Sequence, residues 1–300
     1  MGIWIGLATA LSWSIGIFPF TEASKAFGAN PVNTIRLMLA TLALAIITVF
    51  ISDLSLESLI MMPGMKAWFW LGLSGLLGLA LGDYFSFRAF ASLGARNSSV
   101  FSTLAPGAAL LAAFLIKDTV PRWVELLGML VTLSGVYLLL FLKGKESQGG
   151  KFDLRGIADA VLAALCQGAG LVFSELGIES NAGIDPVHAA FMRMFSGSII
   201  LYITALFSGR LGSLHQTVWH GSSKAKLMLI SGTVFGPILG NSLAMLAVQE
   251  LSAPVAQTIF SLVPIMAIPL SALFYGEKIK SNMIWPALLA FFGVVILVSA

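Results

Sequence analysis

The sequence predicts an all-α integral membrane protein whose ten transmembrane helices form two inverted five-helix repeats. Three observations carry that reading. Hydrophobic residues make up 58% of the 300-residue chain and charged residues only 10%, with a mean hydropathy of +0.93; an ordinary globular domain is roughly 25% charged. Apolar stretches of about 20 residues, the length that crosses a bilayer core of about 30 Å, recur along the whole chain. The second half also repeats the first in register. Ten spans leave no room for a soluble domain, and no charge-rich or Pro/Ser-rich block is present. A disordered tail, a nucleic-acid arm and a fused soluble enzyme are therefore excluded.

Bounded by Gly, Pro, Asn and charged residues, the spans fall at 2–24, 31–51, 67–90, 95–116, 121–142, 155–177, 186–207, 226–249, 253–275 and 280–299. The first run, Gly2 to Phe20, has no basic n-region and is as long as a span, so it reads as a retained helix and not as a cleaved signal. A polar, Gly-rich linker at 144–153 separates a first repeat, 1–143, from a second, 154–300. Sliding the chain by 158 positions lays spans three to five on spans eight to ten without a gap. Gly78 falls on Gly236, Gly82 on Gly240, Ala89 on Ala247, Leu93 on Leu251, Leu104 on Leu262, Pro106 on Pro264 and Gly135 on Gly293. Spans two and seven pair at a slightly different offset, Arg36 against Arg193. Shared composition gives scattered matches between apolar helices; paired Gly and Pro in one continuous register indicate duplication. An odd number of helices per repeat sends the second copy into the membrane from the opposite face. That inversion is characteristic of secondary transporters, which hold substrate near the midplane between repeats.

Lys66, Lys117 and Arg122 lie on the face that carries Met1, against eleven Lys and Arg on the other: Lys25, Arg96, Lys143, Lys145, Lys151, Arg155, Arg210, Lys224, Lys226, Lys278 and Lys280. The positive-inside rule then places both termini outside. Cys166, the single cysteine, rules out an intrachain disulfide and a multi-cysteine metal site.

Ionisable groups inside spans are costly, so each is a site candidate, weighed against snorkelling at a helix end. Asp83 lies deep in the third span with Asn241 as its repeat mate, and either lines a cavity or pairs with an arginine such as Arg88. Glu22 and Glu175, late in the first helix of each repeat, are candidates for proton coupling or gating, or else snorkel. Asp159, early in the sixth span, reads as an interfacial residue at a helix N-terminus. Arg36 and Arg193 read as anion contacts or gate locks, one per face, or as snorkelling side chains whose long stems reach the headgroups.

A polar stripe of Pro254, Gln257, Ser261 and Pro264 shares one face of the ninth span, and its repeat mate is Arg96, Ser99, Thr103 and Pro106. The two stripes read as opposite walls of one cavity, with packing between helices as the alternative. Pro106 and Pro264 favour the cavity, because each frees a carbonyl, at Ser102 and Phe260, that a membrane tolerates only against protein or water. Trp13, flanked by Ser12 and Ser14, and Gln167 sit at similar depths in the first helix of each repeat. They contact substrate or fill space. Gly75, Gly78 and Gly82, with Gly232, Gly236 and Gly240 opposite, read as close helix packing.

In their order and their recurrence in two halves, several short motifs make a pattern. The first half has Gly82-Asp83-Tyr84-Phe85, Leu93-Gly94-Ala95, Leu104-Ala105-Pro106, Gly128 and Gly135-Val136. The second has Gly170-Leu171-Val172-Phe173-Ser174, Pro186 followed by Arg193, Pro264-Ile265, Gly276-Glu277-Lys278 and Gly293-Val294. This pattern resembles the EamA-type transporters of the drug/metabolite transporter superfamily over nearly the whole chain. The resemblance implies a ten-helix inverted-repeat carrier of small organic metabolites such as amino acids, often an exporter, with a central cavity lined by helices one, three, four, six, eight and nine. It also implies cytoplasmic termini, opposite to the charge count, which is given more weight here. One departure is Lys117-Asp118-Thr119 where the second half has Gly276-Glu277-Lys278.

The expected function is therefore a secondary transporter working by alternating access in a bacterial inner (plasma) membrane, with Asp83, Glu22 and Glu175 available for proton coupling. The expected partners are a small-molecule substrate and the lipid bilayer, with no nucleic acid, no cofactor and no metal. His-Glu-x-x-His, Gly-x-Ser-x-Gly and Walker sequences are absent, so an enzyme is not expected. The alternatives are a membrane-embedded or lipid-modifying enzyme and a non-transporting scaffold or sensor.

Overall fold

The computed structural model describes residues 1–52, 55–144, 154–181, 183–276 and 283–299. The linker expected at 144–153 lies outside the described residues apart from Gly144. In the first half, α1 (Gly2–Phe27), α2 (Ala29–Ser52) and the short α3 (Leu56–Met61) lead into α4 (Gly64–Ser74), a π-helical segment π1 (Gly75–Leu81) and α5 (Gly82–Ser102). The half ends with α6 (Ala105–Lys117) and α7 (Trp123–Gly144). The second half has α8 (Leu154–Glu179), α9 (Pro186–Phe207), the short α10 (Leu211–Trp219) and α11 (Ser223–Thr233). It continues through π2 (Val234–Gly240), α12 (Asn241–Glu250), α13 (Ala253–Phe260), α14 (Val263–Tyr275) and α15 (Ile284–Ser299). Seven helices among the described residues are long and apolar enough to cross a membrane, and three shorter apolar ones, Ala105–Lys117, Trp123–Leu139 and Ile284–Leu297, lie between them or after them.

Prolines set the helix breaks. Pro106 and Pro264 each stand in the first turn of a new helix, α6 and α14, where a missing N–H costs nothing. The two residues before each new helix, Thr103-Leu104 and Ser261-Leu262, form turns that end the preceding helix. At Leu251 the backbone turns extended (φ −132°, ψ 148°), and α13 restarts with Pro254 in its first turn. The sequence predicts the same break near 91–94 in the first half. The structure corrects this: α5 runs unbroken from Gly82 to Ser102. Arg96 stands where the second half has Pro254, so α5 keeps that N–H for the helical ladder and has no proline ring to clash with the carbonyl four residues earlier.

Both π segments fall at nearly the same place in their half, π1 ending two residues before Asp83 and π2 directly before Asn241. In π2 the cause is visible, since Pro237 inside the segment cannot donate to the helical ladder. Such wide turns leave carbonyls to be satisfied from outside, and Ser12 Oγ donates to the Phe235 carbonyl at 2.6 Å.

Most packings recur with the halves exchanged. α8 packs on α4, π1 and α5, and α1 packs on α11, π2 and α12; α8 packs on α6, and α1 on α13 and α14. The pairs α2 with α9 and α7 with α15 join one half to the other. Glycine makes the last of these possible. A Cβ at Gly135 would lie 2.4 Å from the Ala290 nitrogen, and one at Gly293 would lie 2.4 Å from the Thr132 nitrogen, so α7 and α15 meet backbone to backbone. Outward-facing positions carry large apolar side chains, Leu42, Ile46, Phe50, Phe69, Leu130 and Phe207 among them, as a lipid-facing surface requires.

Gly135→Ala should therefore destabilise the protein by about 1–3 kcal/mol through overpacking. Gly107→Ala, where a Cβ meets nothing within 4 Å, should be neutral or stabilising by up to about 1 kcal/mol from helix propensity. Melting temperatures of the two variants in detergent check the contrast, and equal values would contradict the close α7–α15 contact.

Candidate functional site

Each half places one arginine from its second long helix against a polar side chain just after a π segment. Arg36 on α2 forms an ion pair through Nη2 with Asp83 at the start of α5. Its Nε donates to Asn33 Oδ1 at 2.9 Å, and its guanidinium lies 5.3 Å from the centre of the Phe20 ring. Arg193 on α9 donates from Nη1 to Asn241 Oδ1 at 2.8 Å, with Met245 Sδ at 3.8 Å. The sequence leaves both arginines open between a functional role and snorkelling; the structure turns them inward, with Arg193 only 6% exposed and the Arg36 side chain 17% exposed. Arg88, the expected partner of Asp83, instead pairs with Asp159 at 3.1 Å.

The two arginine sites form one cluster. A Cβ at Gly75 would meet the Arg193 backbone, and one at Gly78 would lie 3.3 Å from Arg193 Nη2. Arg193 is thus pressed against the same helical stretch that leads into Asp83. The second arginine is less well satisfied than the first. Ala190 stands three residues before Arg193, where Asn33 precedes Arg36, and Asn241 replaces the carboxylate of Asp83. Two buried donors, Arg193 Nε and Asn241 Nδ2, have no protein acceptor among the described residues.

Trp13 and Gln167 flank this cluster in equivalent ways. The Trp13 ring lies against Gly240, the neighbour of Asn241, where a Cβ would come within 2.4 Å of Nε1. The Gln167 side chain lies against Gly82, the neighbour of Asp83, at 3.3 Å from the same hypothetical atom. One residue further on, Ser14 Oγ bonds the Val263 carbonyl at 3.0 Å, and Gly168 packs against the Ala105 carbonyl. The first helix of each half therefore holds both the π-segment glycine and the proline-marked helix break. Trp13 also meets Phe260 edge to face, 5.0 Å between centres.

Gln257, Ser261 and Thr103 keep partial exposure beside those breaks, and Ser261 Oγ donates to the Thr258 carbonyl at 2.6 Å. The Ser99 side chain lies outside the described residues. Glu22 and Glu175 do not join the cluster. Glu22 pairs with Lys25 at 2.7 Å near the end of α1, where both are exposed. Glu175 is buried near the opposite face, bonded to Lys117 at 2.8 Å and to the Ala253 N–H at 3.3 Å, with Glu179 also on Lys117 at 2.7 Å. Sequence reasoning missed Asn33, Phe20 and Lys117 as partners. The i, i+3 spacing of Asn33 and Arg36 could have revealed the first; Lys117 and Glu175 meet only in the fold.

An apolar groove of about 610 Å³ between α1, α14 and α15, lined by Trp4, Leu7, Leu11, Met266, Pro269 and Phe291, is set apart from this cluster. Trp4 and Leu11 are exposed at its rim, so it faces the lipid side and offers no polar group to a metabolite.

Asp83→Asn leaves Arg36 facing inward without its carboxylate, and should cost about 3–5 kcal/mol, the scale for breaking a buried ion pair. Arg36→Gln should cost less, because a carboxylate left alone can take up a proton, whereas a guanidinium stays charged. The double variant should be more stable than Asp83→Asn alone. Thermal melts of the three proteins check the order, and equal melts would show that the pair carries no energy.

The model of the EamA-like transporter family matches residues 1–141 and 154–299. A Clostridium kluyveri protein described as an uncharacterized transporter is 29% identical over 175 residues, covering 58% of this chain and 53% of that protein, so the match spans about half of that relative's length. A solved crystal structure superposes with a TM-score of 0.74 at 17% identity, covering 99% of this chain and 95% of the other, a likeness of fold. The chain belongs to the EamA-like transporter family, and so to the drug/metabolite transporter superfamily, as a multi-pass integral membrane protein.

Proposed function

We propose that the chain is a secondary transporter that exports small organic metabolites, amino acids among them, by alternating access to the cluster around Arg36, Asp83, Arg193 and Asn241. The observation that carries this reading is the matched placement of one arginine, one polar partner and one flanking side chain, Trp13 or Gln167, at corresponding points of the two halves. Related elements entering from opposite faces can open to one side at a time. On this reading α6, α7 and α15 also cross, giving ten spans in two inverted repeats on either side of 144–153. The substrate rests between Trp13, Gln167, Gln257, Ser261, Thr103 and the arginine cluster. The loop charges put the face that carries Met1 outside a bacterial inner (plasma) membrane.

Glu175 acts as a closure on that face. It ties α8 to the end of α6 through Lys117 and to the start of α13 through the Ala253 N–H. Of the three carboxylates open to proton coupling, Asp83 is the one inside the cluster, so coupling is assigned to it.

Reconstitution in proteoliposomes tests the proposal. Counterflow of an amino-acid panel should be measurable, and Gln257→Ala and Trp13→Ala should each lower it at least fivefold at unchanged expression. Undiminished flux in both variants would remove the site assignment, and no flux of any solute would remove the transport reading. A rate independent of a pH gradient, with Asp83→Asn still active, would remove proton coupling through Asp83.

A further inference from the structure

The cluster's charge is not balanced by the side chains that form it. Arg36 and Arg193 contribute two positive charges and Asp83 one negative, leaving an excess of one in a setting where an unpaired charge is costly. The repeats differ at the matching point, Asp83 against Asn241, so the shortfall lies on the Arg193 side. The unmatched hydrogen bonds lie there too. Arg193 Nε and Asn241 Nδ2 are donors without a protein acceptor among the described residues, on side chains only 6% and 3% exposed. The orientation of the Asn241 amide follows from its bond to Arg193, because Oδ1 must accept from Nη1. Two donors and one excess positive charge have the same complement, an oxyanion carrying one negative charge. Access is open on the adjoining pair, whose side chains keep 17% and 18% of their surface. The neighbouring walls, Trp13, Phe20 and Phe260, are aromatic.

Resting on the transporter reading above, the geometry points to a substrate that is a monocarboxylate with an otherwise neutral or zwitterionic body, its carboxylate received by Arg193 and Asn241 and its apolar part lying against Trp13 and Phe260. The bound carboxylate gives the second arginine what Asp83 gives the first. Each guanidinium then faces one carboxylate and the cluster is neutral. A dianion would overshoot this balance, and an amide analogue would bring no charge to it.

The test uses the purified full chain in detergent and two matched pairs, phenylacetate with phenylacetamide and phenylalanine with phenylalaninamide, with chloride and inorganic phosphate as further probes. The melting temperature should rise with the carboxylate of each pair, because a ligand that binds only the folded state stabilises it. The amides should need at least tenfold higher concentration for the same shift. Asn241→Asp supplies the missing carboxylate from within. It should fold with a melting temperature at or above that of the native protein, and its response to both carboxylates should weaken at least tenfold. Arg193→Gln should also lose the response; if it does not fold, Asn241→Asp still decides. Equal shifts from carboxylates and amides, an undiminished response in Asn241→Asp, or no shift from any probe would overturn the proposal. Shifts from chloride or phosphate as large as those from the carboxylates would overturn it in favour of an inorganic anion. The transporter reading is judged separately by flux: a neutral solute carried by the native protein and slowed by Trp13→Ala would preserve that reading while the carboxylate assignment fails.

Discussion

A charged guanidinium inside a bilayer must be paired, hydrogen-bonded or hydrated, and this protein carries two. They stand at corresponding places in its two halves, and the surrounding features follow from the need to hold them. The π segments end within two residues of Asp83 and Asn241 and so set the turn from which those side chains meet the arginines. Glycines at 75 and 78 let α9 come close enough to press Arg193 against π1. Asn33 and Phe20 complete the environment of Arg36, and Met245 is the softer neighbour of Arg193.

The same economy governs the irregular backbone. In lipid a free carbonyl has no water to turn to, so each break in this fold is answered by a neighbouring helix. Ser12 meets the Phe235 carbonyl in π2, and Ser14 meets Val263 at the turn before Pro264. In the other half Gly168 allows α8 to pack directly on the Ala105 carbonyl beside Pro106. Non-helical backbone is thus concentrated where α1 and α8 cross the two halves, beside Trp13 and Gln167. Both π segments and both proline-marked helix breaks lie against these two helices.

Much of this was legible in the chain. The apolar stretches and the glycine-proline register fixed where helices lie, and Pro106 and Pro264 fixed where they break, because a proline's missing N–H acts locally. The continuous α5 was not legible, since the repeat register carried over a break that depends on Pro254, and Arg96 occupies that position. The arginines were seen as candidates but could not be assigned. Distance from a span's end does not tell whether a side chain points at headgroups or at another helix, and the partners Asp83 and Asn241 lie 47 and 48 residues away. Glu175 with Lys117 is the same case at larger separation. Hydropathy and periodicity register the element a residue belongs to; they carry no information on which two elements meet.

If the two halves are equivalent scaffolds that differ in where they keep one negative charge, that charge can be moved. The direct measurement is the exchange Asp83→Asn with Asn241→Asp, assayed for thermal stability in detergent and for flux in proteoliposomes. The exchanged protein should melt within a few degrees of the native one, well above Asp83→Asn alone, and should keep measurable flux. A protein that melts as low as Asp83→Asn alone would contradict the equivalence of the two arginine sites and the charge balance built on it.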